Sequence, residues 1–131
     1  MKTAQQLVAD AKQHIREVTV EDLEQAIGGD ALVIDIREPL EYSDHHIAEA
    51  VNLPRGVLEF QLATHPAISA SGGAPEAALA QLKQRPTYLI CRSGGRSALA
   101  TESLQKMGLE QVYSVAGGMQ AWVEAGKPVQ K

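Results

Sequence analysis

A single cysteine, Cys91, stands in the 131 residues, so no internal disulfide can form. The fold must then rest on its own core, and a reducing, cytoplasmic setting is the expectation. Aromatic side chains are only 4% of the chain and lie scattered at Tyr42, Phe60, Tyr88, Tyr113 and Trp122, which excludes a base-stacking platform. Twelve basic against sixteen acidic residues leave a net charge of −4. That excludes the basic stripe expected of a nucleic-acid binder. No apolar run approaches the roughly 18 residues of a membrane span. The opening Met1–Gln6 stretch lacks the apolar heart of a secretory signal. What is present is a globular balance, 44% apolar and 21% charged, in a length suited to one domain.

Residues 3–17 carry Ala4, Leu7, Val8, Ala11 and Ile15 at helical spacing, and Thr3 with Gln6 suits a capping box. We read 1–17 as an N-terminal helical extension: a lid, a packing element or a dimer contact. The main domain then runs over 18–131. A second helix is expected from Thr19, stopping at Gly28–Gly29. Four short apolar runs (Ala31–Ile36, Ala50–Leu53, Thr87–Cys91 and Gln111–Val115) read as buried strands of a parallel sheet, with a brief edge strand at Glu17–Thr19. Helices are expected at Pro75–Gln84, Ser97–Met107 and Met119–Ala125, and a surface loop at 66–75. Strands alternating with helices specify an α/β fold: a mostly parallel sheet covered on both faces.

Ligands in such sheets bind beyond the carboxyl ends of the strands. Cys91 ends a predicted strand, and Arg92-Ser93-Gly94-Gly95-Arg96-Ser97 leads from it into a helix. Two glycines let the backbone curl until successive N–H groups point inward, a nest that holds an anion. The helix that follows aims its unsatisfied N–H groups at the same place. Arg92 and Arg96 add positive charge, with no acidic residue between Cys91 and Ala100. Such a loop surrounds an anion, and a thiolate is one.

That heptapeptide resembles the active-site loop of single-domain rhodaneses, a sulfurtransferase family. Val33–Tyr42 resembles the family's first motif, which His46-Ile47 and Ala50–Pro54 continue, and Val115–Trp122 resembles its C-terminal motif. The likeness runs from about Val18 to Pro128. It implies a rhodanese-like fold with about five parallel strands. It also implies a double displacement: the Cys91 thiolate takes the outer sulfur of a small anionic donor such as thiosulfate, then passes it from a persulfide to a thiophilic acceptor. Cyanide serves as acceptor in an assay, and a thiol or protein in the cell. No metal or organic cofactor is implied.

Asp35 and Arg37 fall at a strand end near this loop, either as an ion pair pinning that end or with Arg37, or Arg92, touching the donor anion. Trp122 is expected to pack, Gly117–Gly118 to turn beside the site, and His45–His46 to lie in solvent. His45–Ala50 lacks the two glycines and the proline that the family often carries at that turn. Two rival readings are a persulfide carrier or regulatory binding domain, and a Cys-dependent phosphatase or arsenate reductase. Phosphatase loops hold one residue more between Cys and Arg than the four separating Cys91 from Arg96, so the shorter loop favours a sulfur atom.

Overall fold

The computed structural model describes residues 1–68 and 74–131, so part of the loop expected at 66–75 lies outside the described residues. Five strands form one parallel sheet: β1 (Arg16–Val18), β2 (Leu32–Asp35), β3 (Val51–Asn52), β4 (Thr87–Ile90) and β5 (Val112–Val115). Their spatial order is β1-β5-β4-β2-β3. Among the described residues seven helices accompany them: α1 (Ala4–Lys12), α2 (Val20–Ala26), α3 (Pro39–Asp44), α4 (Leu58–Gln61), α5 (Pro75–Leu82), α6 (Gly95–Met107) and α7 (Gly118–Glu124).

The alternating side chains of the strands feed two cores. Leu32, Ile34 and Leu89 pack with Leu58, Leu82 and Leu104 from α4, α5 and α6 on one face. Val33, Ile90 and Val115 pack with Leu23 of α2 and Met119 and Trp122 of α7 on the other. The sheet is therefore buried on both sides, as its unbroken apolar runs require. From β2 the chain crosses outward to β3, and from β4 it crosses the other way to β5. The switch point lies between β2 and β4, whose ends pair at Asp35 and Ile90. Cys91 follows directly.

The capping boxes at Thr3 and Thr19 form as the residue types dictate. The first helix is shorter than its spacing predicts. It ends at Lys12, because Arg16–Val18 is drawn into parallel pairing with Tyr113–Val115 at the sheet edge. α6 begins at Gly95, two residues earlier than expected, so Gly95 and Arg96 belong to its first turn. α3, α4 and a 3-10 turn at Arg55–Val57 were not marked by periodicity, being too short to show one. His46 corrects the expectation of solvent exposure: it is buried, stacked on Tyr42 with ring centroids 3.8 Å apart, and its Nδ1 lies 2.8 Å from the Tyr42 carbonyl. Trp122 packs in the core and donates from Nε1 to the Pro128 carbonyl at 2.9 Å.

Candidate active site

Gly94 adopts φ 105° and caps α6 with no side chain to offer the helix's first N–H groups. Cys91 takes that part. Its sulfur accepts from the Gly94 N–H at 3.1 Å and the Ser97 N–H at 3.4 Å, with Ser97 Oγ 3.5 Å away. The Ser97 N–H, at the third position of α6, is a donor that a capping oxygen would otherwise satisfy, and the Gly94 N–H of the cap residue itself adds a second. Pre-aligned N–H dipoles of this kind stabilise negative charge on the atom they face. Cys91 itself is 1% exposed.

Two supports hold this loop still. Ser97 Oγ lies 2.8 Å from Ser114 Oγ on β5, both fully buried, so the Ser97 hydroxyl is tethered from behind. Ser114 drew no attention in the sequence, where a serine in a strand has no distinguishing spacing. Removing its hydroxyl leaves Ser97 a partner short, and Ser114→Ala is expected to cost about 1 kcal/mol in a urea unfolding series. The second support is the start of α7. The Met119 N–H donates to the Cys91 carbonyl at 2.8 Å and the Gln120 N–H to the Arg92 carbonyl at 3.0 Å.

The arginines divide by role. Arg37 is buried and forked onto Asp35, Nε to Oδ1 at 2.9 Å and Nη2 to Oδ2 at 2.8 Å, with Nη2 also donating to the His45 carbonyl at 2.7 Å. Asn52 donates to the Asp35 and Arg37 carbonyls, so the pair locks the end of β2. Arg96 is held in a two-pronged pair with Glu41 of α3, at 2.8 and 3.0 Å. Among the described residues Arg92 alone of these three carries no ion pair. It is exposed and lines a cavity of about 620 Å³ in which Arg37 and His45 are joined by the carboxylates Glu41, Asp44 and Glu124. A second cavity, of about 420 Å³, reaches Cys91 itself between Ser93 and Leu99. No group of His, Cys, Asp and Glu among the described residues could hold a metal ion. No helix there is long and apolar enough to cross a membrane.

Hydrogen bonding to Arg96 brings the Glu41 carboxyl down to about 2 from its usual 4.5. A depressed carboxyl contributes stability above pH 4.5 and loses it as pH falls through about 2. Both side chains are about one-third exposed, which screens the pair to about 1 kcal/mol. Glu41→Gln is expected to lose that amount at neutral pH and to flatten the acid limb of a melting series between pH 4.5 and about 2.

Comparisons with known proteins bear on the family and the fold. The rhodanese-like domain model matches residues 19–125. A sulfurtransferase of Allochromatium vinosum is 29% identical over 117 residues, covering 88% of this chain and 94% of its own. An uncharacterised Synechocystis protein is 33% identical over 110 residues, 83% of this chain, and the match spans only 52% of that longer relative. Among solved structures, a protein of unknown function from Rhodopseudomonas palustris, a possible tyrosine phosphatase, superposes with a TM-score of 0.80 at 29% identity, covering 99% of this chain and 96% of that one.

Proposed function

Because the chain belongs to the rhodanese-like domain family, we propose that it is a sulfurtransferase that carries sulfane sulfur on Cys91 from a small anionic donor such as thiosulfate to a thiol or protein acceptor. The observation that carries this reading is the sulfur of Cys91 seated where a helix cap would be, under two N–H donors 3.1 and 3.4 Å away. The thiolate attacks the outer sulfur of thiosulfate, the S–S bond breaks, and sulfite leaves with the bonding electrons. The persulfide anion stays on Cys91. An acceptor thiolate, or cyanide in the assay, then attacks the outer sulfur and restores the Cys91 thiolate. Charge remains near the loop at each stage, so the same N–H groups serve throughout. Arg92 attracts the donor from solution. With one cysteine in the chain, an external acceptor must discharge the persulfide.

Phosphoryl transfer is less well supported. A phosphatase needs the arginine of its loop turned onto the substrate oxyanion, whereas Arg96 is forked onto Glu41. The test is intact mass of the reduced protein before and after thiosulfate, followed by a cyanide chase. Gain of one sulfur atom, released as thiocyanate, is the expected result. No gain, with Cys91 still open to alkylation, rejects thiosulfate as donor.

A further inference from the structure

We propose that α1 is the specificity element of this site: its Ala4, Gln5 and Val8 face walls the chamber in front of Cys91, so the acceptor is a small thiol rather than a protein chain. The proposal rests on the sulfurtransferase reading. The 620 Å³ cavity beside Arg92 does not include Cys91, whereas the 420 Å³ cavity does. That smaller cavity has the loop on one side, through Ser93, Gly95 and Arg96, and α1 on the other, through Ala4, Gln5 and Val8. Its volume suits a small organic ligand; it opens broadly to solvent, and Cys91 at its floor is only 1% exposed, so a reagent must enter it to reach the sulfur.

The position of α1 follows from its sequence. Thr3 and Gln6 fix its first turn, and Ala11 is fully buried in its last. Val8 lies between them, half-buried on the start of α6. A methyl placed on Gly95 would meet Val8 Cγ2 at 3.7 Å, ordinary van der Waals contact. So α1 rests on the same turn whose N–H groups hold the sulfur. Its neighbour Leu7 points elsewhere, 48% exposed and outside the chamber lining. Ala4 and Val8 present only apolar surface, and the Arg96 guanidinium is already occupied by Glu41. The chamber therefore has an apolar wall on the α1 side with polar groups at Gln5 and Ser93 beside it, which suits a thiol of modest size that carries polar substituents.

Gln5 is exposed, so a larger side chain there need not disturb the core. The experiment compares the unaltered chain with Gln5→Trp and, as a control off the chamber, Leu7→Trp. Two rates are followed by intact mass: alkylation of Cys91 by iodoacetamide, and discharge of the thiosulfate-loaded persulfide by N-acetylcysteine. A maleimide carried on a polyethylene glycol chain stands in for a macromolecular partner. Gln5→Trp is expected to slow both small-molecule reactions about tenfold or more, Leu7→Trp to leave them within about twofold, and the polymer reagent to react poorly throughout. Equal rates in all three chains, or ready reaction with the polymer, would overturn the assignment. Alkylation that responds to Gln5→Trp in a chain that takes up no sulfur would support the wall and sink the sulfurtransferase reading instead.

Discussion

Cys91→Ser is expected to take up no sulfur from thiosulfate and to lose thiocyanate formation by at least on the order of 10³-fold. A hydroxyl stays protonated under conditions where a thiol supplies a useful fraction of anion, and oxygen forms no persulfide. The fold should tolerate the change. A serine Oγ can accept from the Gly94 and Ser97 N–H groups that now meet the sulfur at 3.1 and 3.4 Å. The unfolding midpoint should therefore move by no more than about 1 kcal/mol. That combination, chemistry lost and fold kept, distinguishes a nucleophile from a buried cysteine that merely packs. Turnover surviving in the serine variant would place the sulfur elsewhere, and the chain has no second cysteine to receive it.

The loop was legible in the sequence because its requirements are local. A strand end, two glycines and a helix start are contiguous, and each residue type has a backbone reason to be there. Thr3, Thr19 and Pro75 marked helix starts for the same reason, and the apolar runs located the strands of the core. What escaped notice is held together across the fold. Glu41 and Arg96 are 55 positions apart, so nothing in either neighbourhood announces their pairing. Ser114 acts only through Ser97, on a different element. The edge strand expected at Glu17–Thr19 does form, one residue earlier at Arg16–Val18, where β5 offers it a partner. Helical spacing continues through Ile15 there, but sheet pairing claims the backbone and α1 stops at Lys12.

Gly117–Gly118 shows how far residue type alone can reach. Two glycines suggest a turn beside the site, as the sequence leads one to expect, but not that the second must press on the backbone of the active loop. Gly118 adopts φ +55°, and a Cβ there would stand 2.4 Å from the Cys91 carbonyl oxygen and 2.7 Å from the carbonyl carbon and oxygen of Arg92. These are backbone atoms, so no side-chain rotation relieves the overlap. They are also the carbonyls that accept from Met119 and Gln120. Gly118→Ala must therefore push α7 off the loop, breaking two hydrogen bonds worth about 1 kcal/mol each, on top of about 1 kcal/mol for a left-handed alanine. The expected loss is about 3 kcal/mol or more in a urea titration. Sulfur loading should slow about 100-fold in the molecules that remain folded, since a shift of about 1 Å at the nucleophile costs that much. Gly126→Ala separates the causes: φ there is +75°, but nothing lies within 4 Å of the added carbon. It should cost only about 1 kcal/mol and leave sulfur loading unchanged. If Gly118→Ala proved as mild, the close approach of α7 to the Cys91 loop would not be what holds the nucleophile in place.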